Sequence, residues 1–182
     1  MSTGSHLFSL DTPTGVHLEG ERSGSGVPLI LLHGLTATRR YVVMGSRHLA
    51  RAGAELIAFD ARGHGESGPA PDPAAYEYAD LVADLEAVVH ALRVVPRSVA
   101  FEGLEALGRL EIPALVVGSR DDSDPGHPLE LARAYAEALP GARLLVEEPG
   151  ESPLAWQGAQ LSRAIEGFLR EAGVLGSGEQ QR

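Results

Sequence analysis

Two apolar runs, each ending in a glycine-containing loop, constrain the fold of this chain more than any other feature. The first run, residues 27–32, ends at His33-Gly34. The second, residues 55–59, ends at the sequence Asp60-Ala61-Arg62-Gly63-His64-Gly65-Glu66-Ser67. Runs of this kind are typical of parallel strands buried on both faces, and residues 41–51 between them are predicted to form a helix. A strand, a helix and a second strand predict a right-handed parallel crossover, and therefore an α/β fold.

The rest of the chain predicts further strands and helices around this crossover. Strands are expected at residues 6–10, 16–21, 113–118 and 142–146, and helices behind Asp72-Pro73 as far as Leu92, at 128–139 and at 156–171. The first two strands suit a hairpin at a sheet edge, whereas residues 93–111 have a weaker pattern. We therefore expect a single domain over residues 1–175, with a mostly parallel sheet flanked by helices, and a polar tail over residues 176–182.

The composition argues against several classes of function. Among 182 residues, 25 are acidic and 15 are basic, and the net charge of −10 would repel the phosphates of a nucleic acid. The absence of cysteine excludes disulfides and thiolate metal sites. Residues 1–10 lack the basic flank and apolar segment of a signal peptide, and no run is long enough to span a membrane. We expect a cytoplasmic protein with neither a nucleic-acid nor a membrane partner.

The two loops resemble motifs of the α/β-hydrolase superfamily. Leu31-Leu32-His33-Gly34 resembles that family's strand followed by a His-Gly turn, and residues 60–67 resemble its Asp-x-Arg-Gly-x-Gly-x-Ser loop. The resemblance implies an oxyanion hole at Gly34 and Leu35, to which the Leu35 N–H contributes. It also implies a structural, scaffolding role for the glycine loop, whose motif residues are Asp60, Arg62, Gly63, His64, Gly65 and Ser67.

The second half of the chain resembles the same family but lacks two of its catalytic groups. Residues 113–121 resemble the strand that delivers the catalytic acid, and Asp121 fits the acid position. In the loop that normally carries the catalytic histidine, Ser152 stands at the matching position. The chain also contains no Gly-x-Ser-x-Gly motif, which holds the nucleophilic serine on a sharp turn. The resemblance therefore implies a truncated α/β-hydrolase fold, with the nucleophile segment and the cap deleted near residues 93–98.

Several polar residues have both a functional and a structural interpretation. His33 and His64 could act as bases, but their place in tight turns favours a structural role. Asp121, Asp122, Asp124 and His127 could hold a hard cation, but they lack the repeat of a known ion-binding loop, and a solvated acidic turn is favoured. No metal or other cofactor is therefore expected.

Two functions follow as hypotheses. The resemblance implies a hydrolase of small ester or acyl-type substrates. The alternative is a non-catalytic remnant that binds a small ligand or a partner, and such a remnant would be prone to self-association because lost strands leave apolar surface uncovered.

Three placements are predicted. The glycine loop should lie beside the turn at His33, at the carboxyl edge of the sheet. Ser152 should face Asp121 across the former site. The strand of Leu31 should pair directly with the strand of Val116, because unpaired buried strands leave backbone groups without hydrogen bonds.

Overall fold

The computed structural model describes residues 4–94, 107–108, 112–121 and 127–176. The chain divides into two compact units, residues 1–96 and 97–182. Residues 95–98 of the predicted deletion site at 93–98 lie outside the described residues, as do the polar tail beyond Gly176 and most of the weakly patterned middle segment. No helix within the described ranges is both long enough and apolar enough to cross a bilayer.

Unit 1 is built on a four-stranded sheet in the order β1-β2-β4-β3. Its strands are β1 (Ser5–Asp11), β2 (His17–Gly24), β3 (Val27–Leu31) and β4 (Ala54–Phe59). The opening hairpin is present as predicted, with β1 antiparallel to β2. β2 is antiparallel to β4, whereas β3 and β4 run parallel, so the predicted parallel pairing of these two strands is confirmed. Both loops that follow β3 and β4 therefore leave the sheet at the same edge.

The segment between β3 and β4 is less helical than predicted. It contains only a short 3-10 turn, Arg39–Tyr41, and the four-residue helix α1 (His48–Arg51). Met44 and Gly45 have φ values of +47° and +72°, which no α-helix accommodates. This left-handed pair interrupts the helix expected over residues 41–51.

The long helix of unit 1, α2 (Tyr78–Ala91), begins later than the Asp72-Pro73 pair predicts. Glu77 and Asp80 form a capping box at its start, which satisfies N–H groups that a helix leaves unpaired. Asp72 instead accepts a hydrogen bond from the Ala74 N–H within a separate turn. The helix packs on the sheet through Val88, in a core with Val16, Leu18, Ile57 and Phe59.

The described part of unit 2 includes a two-stranded parallel sheet and helices. The strands are β5 (Leu115–Gly118) and β6 (Arg143–Val146), and the helices are α3 (Leu129–Ala138) and α4 (Gly158–Glu171), with a 3-10 turn at Leu154–Trp156. These elements match the predicted ones to within a few residues, except that the closing helix begins after the 3-10 turn.

The predicted pairing between the strands of Leu31 and Val116 is wrong. Leu31 pairs with Ala58 in the four-stranded sheet, and Val116 pairs with Leu144 in a separate two-stranded sheet. Each strand pairs with the next parallel strand along the chain, which a single crossover connects. Such neighbours are the usual partners of a strand, because the connection is short.

Candidate functional site

The carboxyl edge of β3 and β4 brings the two predicted loops of unit 1 together. The Ala61 N–H donates to Nε2 of His33 at 2.9 Å, and Nε2 of His64 lies 2.6 Å from the Leu35 carbonyl oxygen. The two imidazole rings are tilted against each other, with centroids 5.1 Å apart. The predicted proximity of the glycine loop to the turn at His33 is confirmed.

Both ring nitrogens of His33 and of His64 face polar groups of the backbone. Nε2 of His33 accepts the hydrogen bond from the Ala61 N–H and so carries no proton itself, which places the ring proton on Nδ1, 2.8 Å from the Gly34 carbonyl oxygen. Nδ1 of His64 lies 3.0 Å from the Arg62 carbonyl oxygen, and its Nε2 faces Leu35. A general base must point a nitrogen at the proton that it removes. These contacts favour the structural role for both residues.

The peptide between Gly34 and Leu35 is oriented through its carbonyl oxygen. That oxygen lies 2.8 Å from Nδ1 of His33 and 3.1 Å from the Ala37 amide nitrogen. Because a trans peptide is planar, holding its C=O also points its N–H in the opposite direction. Leu35 is 81% exposed, and its N–H donates to no acceptor within the described ranges. The geometry is compatible with an oxyanion hole at this N–H, which stays a prediction.

The Asp60 carboxylate ties the glycine loop to the segment after the turn. Asp60 is only 1% exposed, and it accepts the Arg39 N–H at 2.7 Å and the Glu66 N–H at 3.0 Å. The Arg39 guanidinium donates to the carboxylates of both Asp60 and Glu66. The hydrogen bond from Arg39 holds the pKa of Glu66 below its ordinary value. The Asp60 carboxylate therefore connects the backbone of Arg39, the side chain of Arg39 and the backbone of the glycine loop.

Arg62 fixes the same loop to α2. It is fully buried, and its Nε and Nη2 donate to the two oxygens of Asp84, each at 2.7 Å. Nη1 donates to the Ala75 carbonyl at 2.7 Å, and Nη2 to the Asp80 carbonyl at 3.1 Å. Bidentate pairing of this kind compensates the buried charges and also fixes the orientation of the two side chains.

Ser67 and the two glycines complete the loop. The Ser67 hydroxyl donates to the Asp60 carbonyl at 2.6 Å and accepts the Glu19 N–H at 2.9 Å, which anchors the loop on β2. Gly63 and Gly65 have positive φ values of +72° and +51°, which explains the glycines of the motif. These contacts support the scaffolding role that the resemblance implies.

Unit 2 holds a pocket of about 360 Å³ at the carboxyl end of β5. Asp121 and His127 both line it, and its apolar wall includes Leu131, Tyr135 and Trp156. Ser152 is exposed and does not line the pocket, whereas the adjacent Pro153 does. The predicted placement of Ser152 opposite Asp121 has no support in this geometry, and the histidine that shares the pocket with Asp121 is His127.

The sequence analysis considered His127 as a cation ligand and did not predict that it lines the pocket of Asp121. The signal that could have placed it in the pocket is its position directly before Pro128, at the start of the helix that packs on β5. Within the described residues, no group of three or more His, Asp and Glu side chains could hold a metal ion. Asp122 and Asp124 of the hypothetical cation cluster lie outside those residues.

Sequence reasoning gave no role to Glu147, which is a buried carboxylate at the end of β6. Glu147 is 6% exposed, and its Oε1 accepts hydrogen bonds from the Ser119 hydroxyl at 2.9 Å and from the Arg120 N–H. Burial acts to raise the pKa of Glu147, but these hydrogen bonds outweigh it and lower the pKa below its ordinary value. Glu147 therefore stabilises the fold above the pKa of an unfolded glutamate, and this contribution is lost as the pH falls through the lowered pKa.

The contact with Glu147 also argues against Ser119 as a nucleophile. The serine hydroxyl donates to a carboxylate whose pKa is lowered, and such a carboxylate is a weak base. Its oxygen additionally accepts the Asp121 N–H at 3.0 Å. An activated serine needs a base that readily takes its proton, and Glu147 does not provide one.

Comparisons with known proteins agree with this architecture. Residues 27–97, from β3 through α2, match the family model described as alpha/beta hydrolase fold. The chain has no match among curated protein sequences.

Solved structures match over most of the chain. A bromoperoxidase from Bacillus anthracis is similar with a TM-score of 0.72 and 15% identity, over 90% of this chain and 100% of that one. An esterase from Exiguobacterium antarcticum is similar with a TM-score of 0.72 and 14% identity, over 89% and 98% of the two chains. A predicted CIB-like hydrolase from Thermoplasma acidophilum has a TM-score of 0.68 and 19% identity, over 92% and 100%. At 182 residues, this chain is an α/β-hydrolase-fold protein in a shortened form.

Proposed function

We propose that this α/β-hydrolase-fold protein binds small, largely apolar ester, amide or other acyl compounds in the pocket of unit 2. The observation that carries the proposal is one mainly apolar pocket whose wall contains the polar side chains of Asp121 and His127, together with the hydroxyl groups of Ser119 and Tyr135. A volume of about 360 Å³ lies within the usual range of small-molecule sites, roughly 300–1,000 Å³. Pockets of that kind bind through apolar surface and orient the ligand through a few polar groups.

The polar groups favour an uncharged acyl compound. The Asp121 carboxylate can accept a hydrogen bond from a ligand N–H or O–H, and a ring N–H of His127 can donate to a ligand carbonyl. The chain carries a net charge of −10, which disfavours anionic ligands. A neutral ester or amide therefore suits the pocket better than its free acid.

Binding is expected to shift the fluorescence of Trp156 to shorter wavelength. Trp156 is the single tryptophan of the chain, lines the pocket and is 60% exposed, so a bound ligand would displace water from its indole. The measurement is a titration with methyl cyclohexanecarboxylate, checked by calorimetry.

Two substitutions on α3 provide matched controls for this titration. Leu131→Arg places a charge in the pocket and should abolish the shift, whereas Glu130→Arg, on the exposed side of the same helix, should preserve it. A wild-type protein that shows neither a spectral shift nor heat of binding would contradict the proposed function.

Hydrolysis of the same compounds is the second candidate function. It is favoured by the common pocket of Asp121 and His127 and by the hydrolase and esterase names of similar structures. Proteases that lose triad residues retain roughly 10³–10⁴-fold acceleration through binding and the oxyanion hole. We place this chain at or below that level, because neither Ser67 nor Ser119 is paired with a histidine.

A fluorophosphonate probe for serine hydrolases is accordingly expected to leave the protein unlabelled. Turnover of p-nitrophenyl acetate should be slow, and a catalytic site in this pocket would lose it on Asp121→Asn or His127→Gln. Turnover that is unchanged by both substitutions would refute the hydrolase hypothesis. Stoichiometric labelling of one serine would instead refute our low estimate of activity.

A further inference from the structure

Glu147 lies directly behind the polar wall of the proposed pocket. It does not line the pocket, but its Oε1 accepts hydrogen bonds from two residues of the loop after β5, Ser119 and Arg120. The Arg120 Nε returns a hydrogen bond to the Glu147 carbonyl at 3.1 Å. The end of β6 and the loop after β5 are thus joined by three contacts.

The contacts continue from Ser119 to the pocket. Its hydroxyl oxygen accepts the Asp121 N–H at 3.0 Å while its proton is donated to Glu147 at 2.9 Å. The Ser119 hydroxyl has a single proton, and the Glu147 carboxylate determines which way that proton points. The lone pairs of the hydroxyl oxygen are then left to accept the Asp121 N–H. Glu147 therefore acts on the Asp121 backbone through one intermediate residue.

We propose that Glu147 is a positioning residue for ligand binding, which holds Ser119, Arg120 and Asp121 in the conformation that presents the Asp121 carboxylate to a ligand. The inference rests on the proposed function of the pocket. An apolar residue at position 147 would avoid the cost of burying a carboxylate but would leave the Ser119 hydroxyl and the Arg120 N–H without an acceptor. The hydrogen bonds to the loop after β5 therefore explain why a carboxylate is buried at position 147.

Three variants separate positioning from general stability. Glu147→Ala removes the acceptor. Glu147→Gln removes the charge but keeps an amide oxygen that can accept the hydrogen bonds of Ser119 and Arg120. Glu148→Ala is the matched control, because it removes the neighbouring carboxylate, which is exposed.

The first readout compares a polar ligand with an apolar one in calorimetry. Cyclohexanecarboxamide carries an N–H for Asp121, and ethylcyclohexane fills similar space without polar groups. Glu147→Ala should weaken binding of the amide about tenfold, as expected for a lost hydrogen bond to a charged group, and change binding of the hydrocarbon by less than about twofold. Glu147→Gln and Glu148→Ala should bind both ligands like the wild type.

The second readout is amide hydrogen exchange of Arg120 and Asp121, which requires no ligand. Both amides should exchange faster in Glu147→Ala and at the wild-type rate in Glu147→Gln and Glu148→Ala. Unchanged exchange in Glu147→Ala, or an equal loss of affinity for both ligands, would overturn the inference. A wild type that binds neither ligand contradicts the proposed function, and the exchange rates then still decide whether Glu147 orders the loop.

Discussion

Replacing Arg62 with methionine is expected to destabilise the protein by about 3–5 kcal/mol, because it leaves the Asp84 carboxylate buried without its cation. Arg62 is 0% and Asp84 1% exposed, so water cannot take over the lost contacts. The free energy of unfolding in urea, followed by far-ultraviolet circular dichroism, measures the effect. An Arg62→Met protein within about 1 kcal/mol of the wild type would contradict it.

Two further variants identify the origin of that loss. The double variant Arg62→Met with Asp84→Leu should recover most of the stability, because replacing a whole buried ion pair by apolar groups is often neutral. Arg22→Gln removes a half-buried partner of Glu55, from an ion pair whose side chains are 34% and 23% exposed. Its cost should be below about 1 kcal/mol.

Gly65→Ala is expected to destabilise the protein by about 3 kcal/mol or more. Gly65 has a φ of +51°, and a Cβ there would overlap the Asp60 carboxylate. The carboxylate would have to move away from the Arg39 guanidinium and from two backbone N–H groups. The cost therefore combines left-handed strain with the disruption of a buried ion pair.

Gly45→Ala is the matched control for this substitution. Gly45 has a similar φ of +72°, but a Cβ added there meets no other atom within 4 Å. Its cost should be limited to the strain, about 1–2 kcal/mol, and the same urea titration measures it. Equal losses in the two variants would show that contact with Asp60 contributes nothing.

Local pattern was sufficient to predict most elements of the fold. The apolar runs of β3, β4, β5 and β6 are short and continuous, and a chain in which helices alternate with such runs is restricted to parallel crossovers. The glycine loop could also be placed beside the turn at His33, because the ends of two adjacent parallel strands share an edge. The failures occurred where backbone conformation overrode side-chain pattern, as at Met44 and Gly45, whose positive φ values interrupt an apparently helical segment.

The site depended more strongly on contacts between distant segments. Asp121 could be singled out by family resemblance, whereas only the structure shows that His127 lines the same pocket. Glu147 lies 26 residues from Asp121 along the chain and looks like any acidic loop residue. Only the pairing of β5 with β6 brings it to Ser119 and Arg120.

The sequence by itself determined the fold class and the identity of the loop residues. Buried strands require continuous apolar runs and left-handed turns favour glycine, and both requirements are visible in a short stretch of sequence. The tertiary structure alone decided which strands pair and which carboxylates are buried. Those outcomes depend on the free energy of contacts between segments far apart in the chain, and no local spacing encodes them. For this reason Asp84 and Glu147, which resemble surface acids in the sequence, are buried ionic and hydrogen-bonding centres of the folded protein.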